Sequence, residues 1–439
     1  MSERVKVYKV DLLTRVEGEG RFYLKVKDKR VVESRLNIFE SPRYFEAFLR
    51  GRAIEEVTDI VARICGICPV AYQMSAARAL ENALGVVPGA SIRALRRLLY
   101  CGEWIESHAL HIFLLHAPDF LGYGSAMEMA VDHKALVERG LRIKKAGNAL
   151  IALLGGRAIH PVSVRLGGFT AVPSSRQLAD FRPVLQGVLD DALEAVRWSA
   201  GLSFPAFDQE YTFVCLDHTE YPLEWGDHIH ISGQGSVPVG DFHTQITESQ
   251  VAHSTALHSR SKDGRHYLCG PLARLNRHHQ RLHPVALDAL TKSGLALPVR
   301  NPYQSIVVRA LEVVHALATA LDIIDNYRQP ERPFADYVAR DATAAGATEA
   351  PRGLLYHRYR IGGDGLVKDA TIIPPTSQNQ AQIEADLVSV APQLLALEHD
   401  RATHLCEQLI RSYDPCISCA THFLRLDIDR GDSAHGINQ

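Results

Sequence analysis

Arg63-Ile64-Cys65-Gly66-Ile67-Cys68-Pro69 places two cysteines two residues apart, just before a proline. That spacing lets both sulfurs face one ion, so the pair is half of a four-thiolate site. The other half stands in Asp414-Pro415-Cys416-Ile417-Ser418-Cys419-Ala420-Thr421-His422, about 350 residues further on. A zinc ribbon sets its two pairs about 15–20 residues apart. These halves meet only in a finished fold, which suits the centre of an enzyme better than a local staple. Three plainer readings stand beside it: a structural zinc, a thioredoxin-like redox pair, and unrelated core cysteines. No βαβ pattern surrounds either pair, which weakens the redox reading. Cys101, Cys215, Cys269 and Cys406 are scattered and read as buried small hydrophobes.

Outward from the first pair the pattern is helical. Residues 44–84 carry helical spacing, and Ser91–Leu115 reads as a long helix ended by Pro118. Residues 126–154 and 173–201 repeat the style, the second with Ser174 and Ser175 as caps. Helical rows return at 284–296, 304–326, 377–390 and 392–412. Strands are expected at the margins. In 21–40, Phe22, Leu24 and Val26 share one face, and Asp28–Lys29 begins a hairpin turn. Tyr211–Leu216 and His228–Gly233 read as short strands, and 353–373 as a hairpin turning at IGGDG (361–365). The expected fold is mainly α with α+β additions: a large helical-bundle core with peripheral β-hairpins. Residues 1–439 form one domain, with a hairpin in 1–40 and a C-terminal tail at 423–439.

Composition narrows the function classes. The chain has 439 residues, 46% of them hydrophobic and 22% charged, enough to enclose a site completely. A net charge of −2 gives no electrostatic footprint for nucleic acid. No run of about 18 apolar residues is present, so no membrane insertion is expected. The first residues lack an apolar signal core, and a cytoplasmic location is expected. Eight cysteines are too few for a disulfide scaffold.

RICGIC together with DPCxxCxxH resembles the nickel–iron hydrogenase large (catalytic) subunit family. RVEGEG (15–20), PRYFEAFLRGR (42–52), GGRAIHP (155–161), YLCGPLARLN (267–276), EAPRG (349–353) and IIPPTSQN (372–379) resemble family blocks in family order. The resemblance implies reversible heterolytic cleavage of dihydrogen. Cys65 and Cys416 would be terminal thiolates on nickel. Cys68 and Cys419 would bridge it to an iron carrying carbon monoxide and cyanide. Soft thiolates suit such metals. Glu17 would relay protons; a plain reading makes it a surface glutamate beside a glycine turn. Arg352 would stand over the metals, oriented by Asp119 and Asp414. Their plain readings are a structural ion pair and, for Asp414, helix termination before Pro415. Pro351, Pro375 and Thr376 would line the cofactor, the last two close to the cyanides. Glu46 and His422, with the backbone carbonyl of Thr371, would bind a second cation, Mg2+ or Fe2+.

Two features depart from the commonest family pattern. Many relatives have a histidine where this chain has Tyr72, and CPVAYQ (68–73) resembles the cytoplasmic, nicotinamide-coupled branch (group 3, bifunctional or sulfhydrogenase-like). Residues 423–439 follow His422, where a maturation protease cuts many relatives, so the tail is expected to be removed or retained as an extension. The remaining cysteines have no ferredoxin-like spacing, and no GxGxxG opens a helix after a strand. The chain therefore needs an iron–sulfur small subunit to conduct electrons. By resemblance, flavin and iron–sulfur diaphorase subunits would carry them to NADP or NAD, and a maturation protease and nickel chaperones would act on the chain. Two rivals are a dihydrogen-sensing regulator and a metal-free complex I-like electron-transfer subunit; the latter relative has lost the four cysteines.

Overall fold

Alternation of apolar and polar residues builds the first sheet. In the computed structural model, which describes residues 5–421, strands β1 (Val5–Val10), β2 (Gly20–Lys27) and β3 (Arg30–Ile38) pair antiparallel in that order. Phe22, Leu24 and Val26 all face the core. Asp28 and Lys29 form the hairpin turn with φ of 46° and 66°, the left-handed conformation that matches strand twist.

Helices then take over. The short α1 (Phe45–Leu49) and α2 (Val57–Ala62) lead into the first cysteine loop, and α3 (Pro69–Leu84) starts on its proline. Pro at a helix's first position loses no hydrogen bond. Next comes α4 (Ala90–Leu110). Pro118 does not stop this helical run. The chain passes through a π-helical turn at His111–His116 into α5 (Ala117–Leu121), and Gly122, with φ of 80°, ends it. The wider turn absorbs the proline, which sits in the first turn of α5 where its missing N–H costs nothing.

After α6 (Ala126–Asp132) comes α7 (Lys134–Gly155), which crosses α4 closely. A Cβ added to Gly147 would lie 2.7 Å from the Gly102 carbonyl, so only glycine permits this approach. A two-rung hairpin, β4 (Val164–Arg165) and β5 (Gly168–Phe169), precedes α8 (Ser175–Ala200). Ser174 and Gln177 cap α8 reciprocally, a feature contributing about 1 kcal/mol.

The middle of the chain folds into small sheets: β6 (Phe213–Asp217), β7 (His228–Ile231), β8 (Gly235–Pro238), the pair β9 (Ile246–Gln250) and β10 (Leu257–Ser261), and β11 (Leu268–Cys269). Helices α9 (Pro271–His278), α10 (Pro284–Ser293) and α11 (Ser305–Asp325) follow. Almost every side chain of α11 is buried, and it packs between α4 and α8 at the centre of the bundle.

The expected hairpin at 353–373 is the outer part of a three-stranded sheet of β12 (Ala342–Ala350), β13 (Gly353–Ile361) and β14 (Val367–Ile373). ATAAGATEA lacks the branched residues that announce a strand. Its small side chains let β12 lie on α3; a Cβ on Gly346 would sit 2.5 Å from Ala79 N. Finally α12 (Pro375–Leu394), α13 (His399–Ser412) and the single turn α14 (Ile417–Ala420) return the chain to its first cysteine pair. No helix among the described residues is long and apolar enough to cross a membrane.

Candidate metal centre

The four motif cysteines converge, all buried and none in a disulfide. Cys65 Sγ lies 3.4 Å from Cys416 Sγ, Cys68 Sγ 3.5 Å from Cys419 Sγ, and Cys416 Sγ 2.8 Å from Cys419 Sγ. Each half is held locally. Cys65 sits on the loop before α3, where its sulfur accepts the N–H groups of Ile67 and Cys68 at 3.3 Å. Cys416 precedes α14 and Cys419 lies within it. Hydrogen bonding from Cys416, Cys419 and Cys68 drives the Cys65 thiol well down, while burial pushes Cys416 and Cys419 up. Four sulfurs this close cannot all ionise without a cation among them. The donor set therefore fits thiolate-bound metals.

Arg43, which sequence reasoning passed over, joins the halves. Its Nη2 donates to the Ile64 carbonyl at 2.7 Å and also to the Ser418 carbonyl. Its position inside PRYFEAFLRGR was the only signal, and one arginine in a basic stretch carries little.

Glu17 comes to the centre through a backbone bridge to Cys416, fixed by Ile417 N–H donating to the Glu17 carbonyl at 2.9 Å. Its Oε2 lies 3.1 Å from Cys416 Sγ and accepts the Ser418 N–H at 3.0 Å. Burial raises the Glu17 pKa, the nearby Cys65 charge adds to this, and the hydrogen bonds oppose it. Ser418 in turn donates its hydroxyl to Glu40 Oε2 at 3.1 Å.

Arg352, 2% exposed, is fixed by Asp414: Nε donates to the Asp414 carbonyl at 2.9 Å and Nη2 to Oδ1 at 3.2 Å. Burial works against its charge, but Asp414 and the cysteine sulfurs outweigh it and push its pKa up. Asp414 holds a left-handed φ of 53°, as suits the residue that ends α13, and its contacts with Arg352 add a second role.

Asp119 requires a correction. Its carboxylate takes a two-pronged grip from Arg411, 2.8 Å at each oxygen, and a 2.6 Å bond from Arg15. With both oxygens committed there, it braces the segment between β1 and β2 to α13 and does not orient Arg352. Ser107 stands in that place, its Oγ 3.4 Å from Arg352 Nη1. No sequence signal marks Ser107 beyond its turn of α4.

Thr376 Oγ accepts the Cys416 N–H at 3.0 Å, and Pro375 precedes it in the first turn of α12. The Pro351 carbonyl accepts from Arg274 and Arg309 at 2.9 and 3.4 Å, which fixes the backbone just before Arg352. Glu46, in α1, accepts the Ile372 N–H at 2.6 Å. Within a strand, one residue's N–H and C=O point the same way. The carbonyl on Glu46's side of β14 is therefore that of Ile372, and the expectation for Thr371, which faces Arg358, moves by one residue. His422 and the tail at 423–439 lie outside the described residues. Tyr72 is buried, with its hydroxyl 3.4 Å from the Cys419 carbonyl and its ring edge-on to His357.

Comparisons with known proteins agree with this geometry. The family model for nickel-dependent hydrogenases matches residues 43–139 and 301–422. Sulfhydrogenase 1 subunit alpha of Pyrococcus furiosus is 34% identical, covering 95% of this chain and 98% of the relative. Sulfhydrogenase 2 subunit alpha of the same organism is 33% identical over 96% and 100%. Among solved structures, an NAD+-reducing [NiFe]-hydrogenase in the H2-reduced state superposes with a TM-score of 0.86 at 25% identity, over 95% of this chain and 99% of that one. The chain belongs to the nickel-dependent hydrogenase family, as a large subunit. It is an oxidoreductase acting on dihydrogen, and its four cysteines are positioned to bind metal.

Proposed function

We propose that this chain cleaves and forms dihydrogen reversibly at a nickel–iron centre held by Cys65, Cys68, Cys416 and Cys419. The supporting observation is the convergence of four buried sulfurs from the two ends of the chain. Cys65 and Cys416 would be terminal ligands of nickel; Cys68 and Cys419 would bridge to iron carrying carbon monoxide and cyanide. Bound there, the centre supplies the Lewis acidity that polarises dihydrogen for heterolytic cleavage.

The protein's own residues then handle charge and protons. Arg352, kept charged by Asp414 and steadied by Ser107, sets a fixed positive field beside the sulfurs. Pro351, Pro375 and Thr376 shape the wall, and Thr376 also holds the Cys416 backbone. Glu17 takes a proton at Cys416 Sγ, a task suited to a carboxyl of raised pKa. Ser418 and Glu40 continue the hydrogen-bonded line away from the sulfurs. Glu46, the Ile372 carbonyl and His422 would hold Mg2+ or Fe2+ beside the C-terminal segment.

Two electrons accompany each cleavage and must leave a buried centre. Cys101, Cys215, Cys269 and Cys406 are buried singly, so we assign the exit to an iron–sulfur small subunit. Likeness to the NAD+-reducing enzyme supports flavin and iron–sulfur diaphorase subunits beyond it, with NAD or NADP as acceptor and the cytoplasm as location. A maturation protease and nickel chaperones complete the set of partners. Hydrogen–deuterium exchange by the purified complex tests the reading, because it needs the centre but not the acceptor. Exchange that disappears in Cys416→Ser is expected; full exchange in that variant would refute it.

A further inference from the structure

A second cluster of imidazole and carboxylate side chains lies apart from the four cysteines. His253 on the loop after β9, His258 on β10 and Glu384 on α12 bring ligand atoms within 4.8 Å of one another. His253 Nε2 stands 2.7 Å from Glu384 Oε1, and His258 Nδ1 stands 3.9 Å from Oε2. His258 is 2% exposed, and its ring also hydrogen-bonds the Gln380 side chain. His253 is half-buried and lines a surface cavity of about 770 Å3.

We propose that His253, His258 and Glu384 form a binding site for one divalent cation of the zinc type. Two imidazoles and one carboxylate are a zinc donor set, whereas calcium and magnesium prefer oxygen alone. The 3.9 Å separation of His258 and Glu384 is too long for a hydrogen bond. It is close to the ~3.4 Å edge that a tetrahedral ion with bonds of about 2.1 Å requires. His253 meets Oε1 and His258 meets Oε2, so an ion between the two imidazoles would face both oxygens of the carboxylate. Burial holds the His258 imidazole neutral at pH 7, its pKa lowered to about 4, which leaves a nitrogen lone pair available. The charge of Arg260 reaches both His258 and Glu384. It disfavours every cation, so only an ion with strong imidazole bonds would hold against it. Three protein ligands leave a fourth position, and the cavity beside His253 gives water access to it.

The site joins four parts of the fold. Glu384 Oε1 also accepts the Leu36 N–H of β3 at 2.8 Å, and Asn37 Nδ2 donates to the His253 carbonyl at 3.1 Å. A bound ion would fasten β3, the 251–256 loop and β10 to α12, whose first turn carries Thr376 against Cys416.

The test uses the assembled enzyme, stripped of loosely held metal by a chelator and titrated with zinc chloride. One zinc per chain should bind beyond the metals already present, and the unfolding temperature should rise. His258→Ala and Glu384→Gln should each weaken that binding at least about tenfold with nickel content unchanged. His253→Gln, at a partly exposed position, gives the same reading if the other variants do not fold. Zinc binding that is absent, or equal in wild type and variants, would overturn the site and leave a hydrogen-bonded cluster.

Discussion

The Glu17 carboxylate lies 3.1 Å from Cys416 Sγ although 399 residues separate them in the chain. The contact is fixed on both sides: backbone bridging pairs Glu17 with Cys416, and the Ser418 N–H holds the same carboxylate oxygen. A carboxyl placed there is within reach to exchange a proton with Cys416.

Glu17→Gln keeps the size and the hydrogen bond from Ser418 but cannot carry a proton. Turnover and solvent exchange should fall by about a hundredfold or more, the usual worth of a positioned acid–base group, with nickel and iron contents unchanged. Equal exchange rates in the two proteins would remove Glu17 from the relay.

Arg352→Lys keeps the charge and loses the planar fork that grips Asp414 through both Nε and Nη2. Activity should drop by about a hundredfold while metals and fold remain. Asp414→Asn should weaken activity more than Ser107→Ala, because only Asp414 meets the guanidinium with charge. Steady-state rates of the three variants, compared at equal metal content, check this order.

Asp119→Asn breaks a buried two-pronged ion pair with Arg411, which costs about 3–5 kcal/mol. Burial alone would raise the Asp119 pKa, but Arg411 and Arg15 overcome it and hold the group below its ordinary value. Its stabilisation is thus complete above the unfolded carboxylate value, about 3.9, and is lost as pH falls through the lower folded value. Unfolding temperatures should differ widely between wild type and variant at pH 7 and converge below about pH 4. A constant gap across that range would contradict this assignment.

Much of this is legible in the amino-acid sequence. The cysteine spacing points to the candidate ligands, Phe22-Leu24-Val26 with Asp28-Lys29 marks the first hairpin, and Ser174 marks the start of α8. What escapes is set by tertiary partners. The small residues of β12 serve contact with α3 and show no strand pattern. Pro118 can be absorbed because a π-helical turn precedes it. Asp119 is assigned to the wrong arginine because sequence order cannot rank Arg15, Arg352 and Arg411 as partners. Ser107 and Arg43 act through hydrogen bonds across the fold, and neither belongs to a spacing rule.

Arg43→Met leaves all four cysteines in place and removes the tie between the Ile64 and Ser418 carbonyls. Nickel content should fall below wild type in chain purified under identical conditions, and the shortfall should narrow when extra nickel is supplied during expression. Wild-type nickel in the variant would show that the two halves need no such brace.

Metal analysis combined with infrared spectroscopy, on chain purified with its partners, bears most directly on the centre itself. Nickel and iron near one each per chain, with carbonyl and cyanide stretches that vanish in Cys68→Ser and Cys419→Ser, are expected. Zinc in place of nickel at the four sulfurs, or no diatomic stretches in active protein, would contradict the account.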